Sequence, residues 1–195
     1  MGLIAPFLSL LLAGATAGAT ALLPVKNATN HVLLMLIDDL GFADVGYHGK
    51  SVGSQMFTPT IDKLSAQGVR LEQYYVTFLC SPTRTSLLSG RYPYTIGMNG
   101  EVITNGHASC MPSSVATIGD RLSAAGWATA AYGKWDVGMT SWGCTPTCRG
   151  FGHFFGFYNA FNDYYTHKVG RRVGCVCIRM AMIACSSSSA TEMKG

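Results

Sequence analysis

Residues His31 to Ile37 read HVLLMLI, and this apolar run stops at two carboxylates, Asp38 and Asp39, followed by Leu40 and Gly41. A short run without polar alternation has no face to give to water. It reads as a β-strand covered on both sides, the situation of a strand inside a parallel sheet.

The segments that follow alternate as such a sheet requires. In TPTIDKLSAQG, Thr58 is placed as an N-cap, Pro59 as the first helical residue, Ile61 and Leu64 at helical spacing and Gly68 as a stop, so a helix is expected. Val69 to Val76 reads as a second strand. Ser81 and Pro82 are expected to open a helix that runs through Leu88 and closes at Gly90, with Ser81 available as its cap. Ser113 to Gly126 reads as another helix with the same glycine stop, and Trp127 to Trp135 as a third strand. Strands alternating with helices of this length predict an α/β sandwich on a mainly parallel or mixed sheet. The ligand site of such sheets lies beyond the carboxyl ends of the strands. Asp38, Asp39, Cys80 and Lys134 each fall just after one of the expected strands.

A chain of 195 residues with 48% hydrophobic content can bury one ordinary core, which predicts a single domain. Met1 to Ala21 carries no charged side chain and passes from an apolar block into AGATAGATA, the pattern of a secretory signal peptide. The block is about half of the ~20 residues a spanning helix needs, so no stable membrane span is expected. Asn27-Ala28-Thr29 adds an N-glycosylation sequon. The net charge of +4 does not mark a nucleic-acid face. Up to His167 the nine Lys and Arg are matched by nine Asp and Glu, and the surplus comes from Lys168, Arg171, Arg172, Arg179 and Lys194 against Glu192. From about Val169 the sequence loses periodicity and carries Cys175, Cys177, Cys185 and a four-serine run, so 168–195 reads as a foreign tail.

Seven cysteines in a secreted chain imply an oxidising compartment, and an odd number leaves at least one thiol outside any intramolecular disulfide. Cys80 is the candidate. An arbitrary cysteine here would be a disulfide half, but this one stands at a helix N-terminus, where free N–H groups and the positive dipole end favour an anion. Arg84 adds a cation able to neutralise an oxyanion. The Asp38-Asp39 pair reads either as a solvated turn or as two oxygens for a hard divalent cation, and its place directly behind an apolar strand favours the cation. Lys134 alone would read as an exposed lysine at a strand end. His48, His107, His153 and His167 complete no visible catalytic triad or zinc pattern. The aromatic stretch Phe154 to Tyr165 reads as a packed sheet edge or core loop more readily than as a sugar-stacking platform.

Cys80-Ser81-Pro82-Thr83-Arg84, continuing through Gly90-Arg91-Tyr92, resembles the signature of the type I sulfatases, in which the cysteine of Cys-x-Pro-x-Arg is converted to formylglycine. Supporting likeness runs through LIDDLGFADVGYHG (Leu36 to Gly49), TPTIDKLSAQGVRLEQYY (Thr58 to Tyr75), Gly133-Lys134-Trp135, and RGFGHFFGFYNAFNDYYTH (Arg149 to His167). It is closest to the arylsulfatase-B-like branch. The resemblance implies an alkaline-phosphatase-like α/β sandwich, incomplete at the C-terminal side. Residues 22–167 would form the N-terminal part of the catalytic domain, between a signal peptide at 1–21 and an unmatched, disordered tail at 168–195.

It also implies a chemistry. Hydrated formylglycine attacks sulfur with one hydroxyl, and the second hydroxyl later expels sulfate, which a plain cysteine could not do. Calcium would polarise the sulfate oxygens. Asp38 and Asp39 match two of its ligands, and the modified Cys80 a third. Arg84 matches the residue that holds the formylglycine, and Lys134 a lysine that contacts the sulfate. The implied partners are a sulfated small molecule or glycan and a formylglycine-generating enzyme, within the secretory pathway or a lysosome-like compartment. Cys110 and Cys144 would pair, as the matching positions do in that branch.

Two departures stand against the pattern. The family's Gly-Lys-Trp-His-Leu-Gly is here Gly133-Lys134-Trp135-Asp136-Val137-Gly138, so Asp136 takes a catalytic histidine's place and adds negative charge beside the sulfate. The likeness also ends near His167, whereas the family's remaining metal ligands come from beyond that point. Beside the hydrolase reading stands that of an inactive secreted fragment or pseudoenzyme that binds an anion. Phosphoester hydrolysis on the related fold is disfavoured by Cys80, since those enzymes commonly use Thr or Ser.

Overall fold

The structure, a computed structural model, describes residues 31–49, 53, 56–100, 102–104 and 106–167. The expected signal peptide, the sequon at Asn27, the tail from Lys168 and its three cysteines lie outside the described residues. Among the described residues, four helices and two strands follow in the order α1 (Gly46–Gly49), α2 (Pro59–Gln67), α3 (Cys80–Ser89), α4 (Ile118–Ala124), β1 (Ala130–Lys134) and β2 (His153–Phe157). Short 3₁₀ turns lie at Pro93–Ile96, Trp142–Cys144 and Pro146–Cys148. No described helix is long and apolar enough to cross a membrane.

The strands pair in parallel, with Ala130 opposite His153 and Lys134 opposite Phe157. Alternation along a strand then separates two faces. Phe154, with Trp135 and Tyr158 just past the strand ends, packs toward a core of Met98, Ile103, Met111 and Val137. Tyr132 and Phe155, register partners on the opposite face, remain exposed. Backbone pairing continues beyond the strands, where the Trp135 amide donates to Phe157 O (2.9 Å) and the Asp136 amide to Tyr158 O (3.0 Å). The loop carrying Asp136 is thereby fixed to the carboxyl end of β2.

Two expected strands do not form. Residues 31–37 and 69–76 make no ladder among the described residues, and Leu33, Val69 and Tyr75 are more than four-fifths exposed. Apolar character favours a covered strand, but a strand exists only where a neighbour supplies its hydrogen bonds. The third expected strand is shorter than its sequence pattern, Ala130–Lys134 in place of Trp127 to Trp135.

The helices follow their local signals more closely. In α2, Pro59 is the first residue and Gly68 follows the last, as expected. Thr58 makes no side-chain cap, because its hydroxyl donates to Asp62 Oδ1 and accepts from the Gly46 amide, both at 2.8 Å. The helix expected from Ser113 begins only at Ile118. Thr117 caps it in a reciprocal pair with Asp120, whose amide donates to Thr117 Oγ1 (3.0 Å) while its Oδ2 accepts from the Thr117 amide (2.7 Å). Upstream of the cap, the carbonyls of Met111, Pro112 and Val115 accept from the buried Arg149 guanidinium, and the Pro112 carbonyl also closes a turn with the Val115 amide. Burial lowers the Arg149 pKa, a shift that Asp120 partly offsets.

The expected disulfide is present between Cys110 and Cys144. A sequence separation of 34 gives about 4 kcal/mol of stabilisation in the chain-entropy account. Cys110 also bridges to Gly138, whose φ of +100° belongs to glycine, and a Cβ there would collide with Cys110. Cys148 is disulfide-bonded as well.

Thr117 is fully buried, and its hydroxyl also donates to Arg149 O (2.8 Å), joining the start of α4 to the turn before β2. Thr117→Val keeps the shape and deletes these bonds. The expected cost is about 2 kcal/mol, read as a lower urea midpoint with an unchanged m-value. A midpoint equal to that of the unsubstituted protein would show that the cap contributes nothing.

Candidate active site

Helix α3 begins one residue earlier than its sequence suggests. Leu79, in extended conformation, is the N-cap, so Cys80, Ser81 and Pro82 form the first turn. Proline is tolerated there because first-turn amides have no intrahelical acceptor. Ser81 is not the cap, since its hydroxyl is committed elsewhere. The entry to the helix is set by Thr83 Oγ1, which donates to Thr77 O (2.7 Å). The exit is set by Gly90 at φ +67°, whose amide donates to Ser86 O (2.8 Å).

The face of α3 that meets the end of β1 carries Ser81 and Arg84, three residues apart and therefore neighbours on one side of the helix. Both are buried. Arg84 donates through Nη1 to Lys134 O (2.6 Å) and through Nη2 to Asp38 Oδ1 (3.1 Å). Lys134 Nζ donates to the other oxygen of the same carboxylate, Asp38 Oδ2 (2.9 Å), and lies 3.6 Å from Asp136 Oδ2. Asp38, at the end of the apolar run, is thus the anion between two cations delivered by a helix and a strand.

Asp38, Asp39 and Cys80 bring a carboxylate oxygen, a second carboxylate oxygen and Sγ within 4.8 Å of one another. Cys80 is the free cysteine among the described residues and is half-buried. Asp39 sits at φ +54°, a left-handed conformation that aspartate tolerates and that turns its side chain out of the preceding run. The two carboxylates suit a hard divalent cation such as calcium, whereas a thiol is a soft donor. The donor set fits calcium once an oxygen replaces the sulfur of Cys80.

The six residues singled out from sequence therefore converge. Ser81 was legible only as a possible cap. Its hydroxyl donates to Asp136 Oδ1 (3.0 Å) and accepts from the Ile103 amide (2.8 Å), a role that no spacing rule announces because its partners lie far along the chain.

Electrostatics differentiates the three aspartates. Burial pushes the Asp38 carboxyl up, but hydrogen bonds from Lys134 and Arg84 outweigh it and hold it below the ordinary carboxylate range. Lys134 is pushed down by burial and carried above its ordinary value by hydrogen bonds to Asp38 and Cys80 and by the charge of Asp136. Asp136 moves up, because burial of its fully enclosed side chain outweighs the attraction of Lys134 and the Ser81 hydrogen bond. Its Oδ2 has no hydrogen-bond partner.

Comparisons with known proteins agree over most of the chain. A family profile described as Sulfatase matches residues 30–173. Arylsulfatase J of Mus musculus is 43% identical over 137 residues, which cover 70% of this chain and 22% of that protein. Arylsulfatase A of Homo sapiens is 36% identical over 171 residues, covering 87% and 31%. Among solved structures, that of Ps i-CgsB superposes with a TM-score of 0.60 at 35% identity, covering 65% of this chain and 28% of that one. The chain thus spans between a fifth and a third of the length of these relatives.

The raised Asp136 pKa has a measurable sign. The folded state binds this proton more tightly than the unfolded chain, whose carboxyl titrates near 3.8. Ionising Asp136 therefore costs stability as pH rises from that value through the raised one. Asp136→Asn keeps an acceptor for Ser81 and removes the charge, so it should stabilise the fold at pH 7 and have little effect below pH 3.8. Urea midpoints at the two pH values test this, and equal effects at both would contradict it.

Proposed function

The chain belongs to the sulfatase family and has its alkaline-phosphatase-like fold, and from that membership we propose that it hydrolyses sulfate esters of a phenol or a carbohydrate through an aldehyde derived from Cys80. One observation carries the reading. Cys80, Arg84, Asp38, Asp39 and Lys134 meet at a single point although they come from three separate segments. Ion pairs and a buried guanidinium account for the meeting of Asp38, Arg84 and Lys134, but two adjacent carboxylates beside a thiol add little stability of their own.

Each residue then has a task. The first-turn amides of α3 and its positive dipole end favour an anion next to Cys80. Lys134 is the cation placed to bind a sulfate oxygen and to balance charge that develops as the ester bond breaks. Arg84 fixes Asp38 and the end of β1, which keeps both in place against the helix start. Asp38 and Asp39 would hold a calcium ion, which would supply Lewis-acid polarisation of sulfate, and a formylglycine made from Cys80 would supply an oxygen nucleophile. Conversion of Cys80 requires a formylglycine-generating enzyme, and the site of action is the secretory pathway or a lysosome-like compartment. Residues 22–167 are the N-terminal part of the catalytic domain.

The substrate class follows the relatives. Several are arylsulfatases by name, and Ps i-CgsB is known in complex with k-i-k-neocarrahexaose, a carbohydrate. A second reading, a pseudoenzyme that only binds an anion, draws on Asp136. Its buried carboxylate lies 3.6 Å from Lys134 Nζ and lowers the positive potential available to sulfate.

Two measurements decide between them. Mass spectrometry of the Cys80 peptide, after expression with a formylglycine-generating enzyme, should find the aldehyde; an unmodified Cys80 in a disulfide would end the hydrolase reading. Asp136→His, which removes the carboxylate, should release sulfate from an aryl sulfate about tenfold faster. No gain over the unsubstituted chain would show that Asp136 does not limit turnover.

A further inference from the structure

The hydroxyl of Ser81 is the meeting point of three segments, and the proposed chemistry leaves it without a task. It is 1% exposed. It donates to Asp136 Oδ1 (3.0 Å) and accepts from the Ile103 amide (2.8 Å). One bond reaches the loop past β1, and the other reaches the 102–104 segment, where Ile103 belongs to the core. Asp136 in turn is 0% exposed and held at φ +54°, with its amide on Tyr158 O. The left-handed conformation, which aspartate tolerates, goes with one carboxylate oxygen on α3 and the other facing Lys134 Nζ.

Helix α3 is tied to the end of β1 a second time, by Arg84 Nη1 on Lys134 O. Ser81 and Arg84 lie on one face of the helix, and their partners, Asp136 and Lys134, flank Trp135. Two such bonds remove a freedom that one leaves open, rotation of the helix about its own axis. That rotation decides where Cys80, the residue before Ser81, points relative to the Lys134 ammonium.

We propose that Ser81 and Asp136 form a positioning clamp that sets the orientation of Cys80 against Lys134, and thereby the geometry in which the site receives a sulfate group. This rests on the reading of the site as a sulfate site. Neither residue touches the substrate in this role. The clamp needs the hydrogen bond and not the negative charge, so its two ends respond differently to substitution. Ser81→Ala deletes the bond, together with the one that the hydroxyl accepts from the Ile103 amide. Asp136→Asn retains an acceptor and removes a charge that opposes an anion.

The test is titration of inorganic sulfate into the full chain and its variants in calcium-containing buffer, with urea midpoints recorded in parallel. Ser81→Ala is expected to weaken sulfate binding about tenfold, the scale of one buried hydrogen bond. Asp136→Asn is expected to bind at least as tightly as the unsubstituted chain. Ser81→Ala combined with Asp136→Asn is expected to bind about tenfold more weakly than Asp136→Asn alone, since the same bond is lost in that background. A merely structural serine would lower the urea midpoint and leave the sulfate affinity of the folded fraction unchanged, which overturns the clamp. A purely electrostatic site would show tighter binding in Asp136→Asn and no loss on Ser81→Ala in either background, which also overturns it. If the unsubstituted chain binds no sulfate, the sulfate-site reading fails first and the clamp falls with it.

Discussion

The Arg84 guanidinium is the joint on which this structure depends. It leaves the second turn of α3 and is buried between the Lys134 carbonyl and the Asp38 carboxylate. A buried guanidinium is stable only where acceptors surround it. The three segments that supply the site are therefore held by one side chain. The arrangement also explains how residue 38 stays beside β1 although the run before it forms no strand. Tethering by charge takes the place of a ladder.

Around that joint the charges are graded. Asp38 lies between two cations and is held ionised, Asp39 is free to offer oxygen outward, and Asp136 is enclosed and resists ionisation. Solvent reaches the Asp38 side, so its two ion pairs contribute position more than stability. The enclosed Asp136 has the opposite balance, because water does not screen it and one of its oxygens, 3.6 Å from Lys134 Nζ, has no hydrogen-bond partner among the described residues. The first kind of carboxylate holds its two cations in place at the site. The second kind serves only if its hydrogen bonds give geometry in return for its charge.

Much of the site was legible because its residues follow local rules. Cys80, Pro82 and Arg84 are fixed by helix geometry, Asp38 and Asp39 by an abrupt change of polarity, and Lys134 by its place at a strand end. The helix limits came close where proline or glycine governed them, as at Pro59 and Gly90. The strands did worse. HVLLMLI and VRLEQYYV have strand composition, but their hydrogen-bonding partners are not written in them. The start of α4 was misjudged because Arg149, some thirty residues away, takes the Val115 carbonyl that a longer helix would have used.

The sequence by itself determined the chemistry that is possible: a lone cysteine at a helix start, an arginine four residues on, two adjacent carboxylates and a lysine, in an order shared with the sulfatases. These are choices of residue type and short spacing, which local backbone geometry converts directly into relative position. Only the tertiary structure decided that Ser81 belongs to Asp136 and Ile103 and is no cap, that Asp136 is enclosed, and that Asp38 joins Arg84 to Lys134. Those contacts span 22 to 96 residues of chain. Over such distances spacing carries no geometric information, and burial, which sets the Asp136 pKa and the strength of each hydrogen bond, comes into being only when the segments close on one another.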